Sequence, residues 1–247
     1  MNIKTLYLKE VDSTNNFLLD YEPENGEDMT VAWTDFQSAG RGCGTNTWES
    51  EAGKNLTYSV LLCPKHVDAR NQFILSMANA VALKRVLDAY LGNVSIKWPN
   101  DIYWRDRKLC GTLIEARLQG QLVRRCVLGT GINVNQRRFL SNAPNPVSLC
   151  QVLGHDVDRM EVLRAVTEET ARAMLQVENQ AWEPLRNEYR SALYRRGETH
   201  LFRLPDSQTK ALTLETVSDD GHLLLRESSS GELMSFGFKE IQFIISS

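Results

Sequence analysis

An α+β fold with a small all-β tail is what this chain predicts, on three observations. Six strand-like stretches fall within its first 135 residues. One long helical pattern interrupts them. From about residue 198 the pattern turns to short strands parted by Gly-containing turns. At 247 residues the chain holds one large domain, or one plus an appendage. We expect a mixed α+β domain over residues 1–197 and a small all-β barrel or sandwich over 198–247.

The elements follow in order. "KTLYLKEV" opens as a strand, and a short helix follows in "DSTNNFLLDY", with Asp12 or Ser13 as its cap. "TVAWTDFQ" and "NLTYSVLL" are strands, rich in β-branched, aromatic and Leu residues. In "DARNQFILSMANAVALKRVLDAYLG", Phe73, Ile74, Met77, Val81 and Leu87 keep helical spacing, and Gly92 fits the stop. "VSIKWPNDIYW", "KLCGTLIEARL" and "LVRRCVLGTGINV" complete the first strand set. After a loop, "SNAPNPVS", a helix begins at Asp158 with Glu161 closing a capping box. A further helix carries Trp182, Leu185, Tyr189 and Leu193 and ends at Gly197. "HLFRLP", "KALTLETVS", "HLLLRES" and "EIQFII" are the four strands of the tail.

Composition excludes several classes. Hydrophobic residues make up 42% and charged residues 24%, ordinary values for a globular protein. The net charge is −3, and eight acidic residues face four basic ones in the tail, so no nucleic-acid partner is expected. No apolar run approaches the roughly 20 residues of a membrane span, and "MNIKTLYLKEVDS" lacks an apolar signal core. Cys43, Cys63, Cys110, Cys126 and Cys150 form no C-x-x-C pair, and the four histidines are isolated, which argues against structural zinc. Free thiols in a cytoplasmic protein, with no membrane partner, are the expectation.

Four stretches carry chemistry. "AGRGCGTNTWES" (residues 39–50) follows a strand yet fits neither common phosphate loop, since Thr45 stands five residues after Gly40. Between residues 97 and 125, seven basic residues face three acidic ones. Lys97 and Lys108, at the ends of a strand–turn–strand unit, can bring two ammonium groups to one anion; a solvated hairpin is the alternative. Within that unit, Pro99 holds Trp98 extended, and Asn100-Asp101 offers oxygens for a hard cation or caps for the turn. "GTGINVNQ" ends a strand with glycines that admit close approach, and Asn133 can cap or contact a ligand. In "DSTNN", Ser13, Thr14 and Asn15 are ordinary capping types.

Taken together and in order, "DSTN", "QSAGRG" with a following Trp, "KWPND" with "RKLCG", and "GTGINVN" closely resemble biotin protein ligase in its monofunctional form. The resemblance implies a class II aminoacyl-tRNA-synthetase-like catalytic domain, a mixed β-sheet flanked by helices, with a C-terminal SH3-like β-barrel. It implies that biotin and ATP combine with Mg²⁺ into biotinyl-AMP, and that biotin passes to a lysine of a biotin carboxyl carrier protein. A monomer or a homodimer is implied. It places Ser13, Thr14, Asn15, Gln37, Gly40, Arg41, Lys108, Gly111 and Gly129 on biotin, with Ser13 and Thr14 at the ureido end. Arg41, Gly42, Cys43, Trp48, Lys97, Asn100 and Asn133 fall on the nucleotide, Asn133 at adenine. Lys108, Arg41, Lys97 and Asp101 take the catalytic positions, Asp101 also that of a Mg²⁺ ligand. A loop near residues 105–120 is implied to order over the ligand, with Trp48 and Trp104 as lids or core aromatics. Cys43 stands where the family commonly has Arg or Gln, so readier release of biotinyl-AMP is expected. "GFKEIQF" replaces the customary Gly-Glu of the tail. A lipoate or octanoate ligase of the same fold, or a silent biotin-binding protein, are the alternatives.

Overall fold

Seven strands build the first sheet of the computed structural model, which describes residues 1–44, 46–140 and 145–245. They are β1 (Ile3–Val11), β2 (Met29–Gln37), β3 (Leu56–Leu62), β4 (Val94–Lys97), β5 (Asp101–Trp104), β6 (Arg107–Gln119) and β7 (Leu122–Ile132). Their order is β1-β2-β3-β7-β6-β5-β4; only β1 and β2 pair in parallel. Every residue of β3 is buried, because helices or loops cover both its faces.

On one face, helix α1 (Thr14–Asp20) sets Leu18 against Ala32, Leu61 and Val127. On the other lies the main core, filled by helix α2 (Phe73–Leu91), whose Ile74, Met77, Val81 and Leu87 are buried as their spacing predicts. Gly92 ends α2 with its N–H on Asp88 O. Helices α3 (Leu149–Leu153), α4 (Arg159–Glu178) and α5 (Trp182–Ser191) complete the layer.

Several expectations are corrected. Ser13 occupies the cap position of α1 in an extended conformation, but its side chain caps nothing. Asp158 caps α4 through Met160 N, not through a box with Glu161; the capping box belongs to Ser148 and Gln151 on α3, a helix not foreseen. The last helix stops at Ser191, not Gly197. There the chain leaves the helix to bond the open edge of β4, through Ile96 N to Ala192 O and Tyr194 N to Ile96 O. Part of the "SNAPNPVS" loop, residues 141–144, lies outside the described residues.

The second sheet has five strands, one more than expected: β8 (Thr199–Arg203), β9 (Thr209–Val217), β10 (Leu223–Glu227), β11 (Leu233–Phe236) and β12 (Gln242–Phe243). Their order is β11-β10-β9-β8-β12. The SH3-like closed barrel is not found: among the described residues the sheet stays open, and two-residue β12 is too short to close it onto β11. Phe202, Leu212, Leu223 and Phe236 join the main core. Trp98 Nε1 donates to Gly221 O at 2.9 Å, and the Tyr194 hydroxyl donates to Asp106. Among the described residues no helix is long and apolar enough to cross a membrane.

Candidate active site

Where β3, β7 and β6 run side by side, the register aligns Ser59 with Gly129 and Leu113, then Thr57 with Gly131 and Gly111. The three glycines leave a trough on the α1 face of the sheet. Side chains from α1 and from the loop after β2 lie in it at distances that forbid a methyl group. A Cβ on Gly129 would fall 1.9 Å from Asn15 Oδ1, and one on Gly131 would fall 2.2 Å from the Trp48 ring. A cleft of ≈ 240 Å³ remains above them. Thr57 Oγ1 and Trp48 Nε1, on its lining, are buried and have no hydrogen-bond partner among the described residues. Such groups are costly unless a ligand satisfies them.

One end of the cleft is a neutral hydrogen-bond ladder. Gln37 Oε1 accepts from Thr14 N at 2.8 Å and from Thr14 Oγ1 at 3.0 Å. Thr14 Oγ1 lies 2.7 Å from Ser59 Oγ, and Ser59 Oγ donates to Asn15 Oδ1 at 2.6 Å. Asn15 Nδ2 then donates to Glu115 Oε2 at 2.9 Å. Glu115 also binds Arg41, with Nη2 at 2.8 Å, while Arg41 Nη1 donates to Asn16. Arg41 is therefore tied back across the mouth of the cleft. Its exposure keeps that pair weak enough to exchange for a ligand anion.

The other end is charged. Lys108 Nζ donates to Asp101 Oδ2 at 2.7 Å and lies 5.9 Å from the Trp48 ring centre. Lys97 is the cross-strand partner of Asp101, but its ammonium sits in an adjoining cavity of ≈ 420 Å³. There it faces the rings of Phe243 at 4.8 Å and Tyr103 at 5.4 Å. Burial pushes Lys97 below the usual lysine range, against the opposing pull of Asp101. Pro99, Asp101 and Phe238 line both cavities, so the two adjoin.

For a divalent cation the donor set is thin. Among the described residues no group of three His, Cys, Asp or Glu side chains could hold a metal. Asp101 already accepts from Lys108, and Asn100 Nδ2 donates to Ser76 Oγ at 3.3 Å. One half-engaged carboxylate fits Mg²⁺ that arrives on phosphate oxygens and keeps its waters.

Most of the expected residues meet in this cleft: Ser13, Thr14, Asn15 and Gln37 at the neutral end, Arg41, Gly42, Cys43 and Trp48 above, and Asn100, Asp101, Lys108, Gly111 and Gly129 beyond. Three do not line it. Lys97 opens on the neighbouring cavity. Gly40 packs behind the loop, where a Cβ would fall 2.7 Å from Trp48 O. Asn133 is buried, its Nδ2 donating to Val147 O at 3.1 Å, which turns the amide away from the cleft. Trp104 is no lid: it packs against the core with the Arg105 guanidinium 4.5 Å over its ring. The expected loop near 105–120 is the strand β6, apart from its first residues. Burial pushes the Cys110 thiol up, leaving it protonated and unreactive. Thr57, Gly131 and Phe238 were not anticipated; Gly131 alone had a signal, two residues after Gly129 in "GTGINV".

Residues 7–133 match the model of the Biotin/lipoate A/B protein ligase family. The chain belongs to that family. Among its relatives in the biotin/lipoate ligase family, the biotin–[acetyl-CoA-carboxylase] ligase of Paracoccus denitrificans is 30% identical over 89% of this chain and 92% of its own. The bifunctional ligase/repressor BirA of Bacillus spizizenii is also 30% identical, over 65% of this chain; the chain spans about half the length of that relative. A solved structure of biotin protein ligase from Aquifex aeolicus in complex with biotin and ATP superimposes with a TM-score of 0.80. That match covers 98% of this chain and 99% of the other at 26% identity.

Proposed function

We propose that the chain is an ATP-dependent biotin protein ligase, with a catalytic unit over residues 1–197 and the second sheet as its accessory. The observation that carries this reading is the glycine trough: flat, neutral at one end and cationic at the other. A bicyclic ring with a polar cyclic urea and a carboxylate tail fits that polarity. The ladder of Gln37, Thr14, Ser59 and Asn15 offers donors and acceptors to the urea. Lys108 stands where carboxylate and α-phosphate must meet, offsetting the repulsion between two anions. Attack of the carboxylate on the α-phosphorus gives biotinyl-AMP and pyrophosphate. The mixed anhydride then acylates a lysine of a carboxylase carrier protein, with no enzyme nucleophile needed. Mg²⁺ carried on ATP would add charge neutralisation beside Asp101. Exclusion of water by Trp48 and the loop carrying Arg41 preserves the anhydride until the carrier arrives.

Pyrophosphate release should require biotin and ATP together, and a matched carrier domain should become biotinylated. Release with lipoate or octanoate in place of biotin would replace this reading, and binding without release would reduce the protein to a biotin binder. Gly129→Ala should abolish the activity, because its methyl group displaces the buried Asn15 carboxamide. We expect biotin affinity, read by calorimetry, to fall at least about tenfold, with about 1–3 kcal/mol of stability lost to overpacking. Wild-type affinity in Gly129→Ala would remove biotin from the trough.

A further inference from the structure

The neutral ladder at one end of the cleft terminates on a charge, and the direction of its hydrogen bonds follows from that charge. Glu115 comes after Gly111 and Leu113 on the same face of β6, and its carboxylate is half-buried. Its Oε2 accepts from Asn15 Nδ2 at 2.9 Å and from Arg41 Nη1 at 3.1 Å, and its Oε1 from Arg41 Nη2 at 2.8 Å. A carboxylate only accepts, whereas a carboxamide turned by half a revolution exchanges donor for acceptor with almost no change of shape. Asn15 is 3% exposed, so the choice between its two orientations is made inside the protein. On its nitrogen side stand two acceptors, Glu115 Oε2 and, at 3.4 Å, Leu113 O. On its oxygen side stands the Ser59 hydroxyl, which donates at 2.6 Å.

Proton counting orders the rest. The Ser59 proton goes to Asn15 Oδ1, so the 2.7 Å contact between Thr14 Oγ1 and Ser59 Oγ takes the Thr14 proton. Gln37 Oε1 keeps the backbone N–H of Thr14 at 2.8 Å whichever way that hydroxyl turns. The donors then run from Thr14 to Ser59 to Asn15 to Glu115, each group polarising the next. With Asn15 turned over they would run backwards, from Asn15 to Ser59 to Thr14 to Gln37. The same side chains serve both ladders. Glu115 decides between them, because a charged acceptor outweighs the neutral Gln37 carbonyl, which already holds a backbone N–H. The choice matters at the floor of the trough. A Cβ on Gly129 would fall 1.9 Å from Asn15 Oδ1 but 2.9 Å from Nδ2, so the carbonyl oxygen is the atom turned toward the ring site. An acceptor there can take a urea N–H, and a donor there would oppose it.

We propose that Glu115 is a positioning residue for urea recognition: by holding the Asn15 carboxamide it keeps an acceptor at Gly129 and selects a cyclic urea over an acid that carries no N–H. The inference rests on the ligase reading and deepens it to the head group of the substrate. Glu115 stands behind Asn15, off the cleft lining, and acts through it. Arg41 supplies the counter-charge that lets a carboxylate stand this close to a neutral ring site.

The test is a double-variant cycle on the full-length protein: Glu115→Gln, Asn15→Asp and the Asn15→Asp/Glu115→Gln pair, with thermal melting as the control for folding. Biotin and lipoate binding are read by calorimetry, and KM values for biotin and ATP by pyrophosphate release. Glu115→Gln gives the end of the ladder a donor as well as an acceptor, so charge no longer opposes the turned-over amide. Biotin affinity should fall about tenfold, the size of one charge-assisted contact, and the preference for biotin over lipoate by the same factor. KM for ATP should stay within about twofold. Asn15→Asp sets two carboxylates where the wild type has a 2.9 Å amide bond, and should lose at least as much. In the pair, the introduced amide donates to the introduced carboxylate, whose other oxygen still accepts from Ser59. The ladder keeps its direction, and most of the affinity should return. Biotin affinity within about twofold of wild type in Glu115→Gln overturns the proposal, as does an equal rise in KM for ATP or a pair no better than Asn15→Asp alone. A wild type that binds biotin but releases no pyrophosphate sinks the ligase reading alone, because calorimetry decides Glu115 without turnover.

Discussion

Replacing Lys108 by alanine is expected to slow biotin-dependent pyrophosphate release by about 10²–10³-fold, the cost of deleting one preorganised charge from the transition state. The fold should survive. Lys108 is held by its backbone, its N–H on Asn145 O at 2.8 Å and its carbonyl accepting from Val147 N at 2.9 Å. Its side chain meets Asp101 and the Trp48 ring, both at the cleft. The loss has two parts. A cation is removed where carboxylate and triphosphate must approach. Asp101 is also left as an uncompensated negative charge at the same place. The double variant Lys108→Ala/Asp101→Asn separates them, and should recover part of the rate by removing the stranded anion. Single-turnover measurement at saturating biotin and ATP checks this, with thermal melting as the control for folding. A Lys108→Ala rate within tenfold of wild type would move the chemistry to another cation.

The fold was legible where the pattern is local, and the site where its motifs are short and contiguous. The motif resemblance alone brought Gly111 and Gly129 to one cleft, while the loop after β2 could be seen as an anion loop before any strand order was known. Strand order is a long-range property, and what depends on it stayed hidden. Glu115 restrains Arg41 across 74 residues, and Ser59 joins Thr14 to Asn15 only because β3 lies beneath α1. Phe238 and Lys239 come from a second sheet whose placement no local pattern encodes. Asn133 shows the opposite limit: a position within a motif does not say which way an amide points. Its Nδ2 is taken by Val147 O in a chain segment 14 residues on. Leu193 continues the helical spacing of α5, yet the unpaired edge of β4 offers backbone bonds that the helix end cannot match.

Lys97→Met should make the protein more stable and a poorer catalyst. The half-buried ammonium lies against Tyr103 and Phe243 with no ion pair among the described residues, and burial lowers its pKa. A lysine whose folded pKa lies below its unfolded value, about 10.4, binds its proton less tightly in the folded chain. The protonated side chain therefore opposes folding at neutral pH, and the penalty fades as pH rises toward the unfolded value. Methionine keeps the length and apolar stem without the charge. The melting temperature of Lys97→Met should exceed that of wild type at pH 7, by about 2–4 °C for each kcal/mol of relieved desolvation. The gap should narrow as pH is raised toward 10. A gap that widens with pH would mean that Lys97 is charged and well paired in the folded state. Catalysis should move the other way. A phosphate anion bound in the adjoining cavity would restore the missing counter-charge, and Lys97 would then contribute to binding what it withholds from folding. We expect pyrophosphate affinity to fall at least about tenfold in Lys97→Met. Stability gained without that loss would make the lysine a packing residue. Both changes together would show that the protein keeps a destabilising cation in place for its ligand.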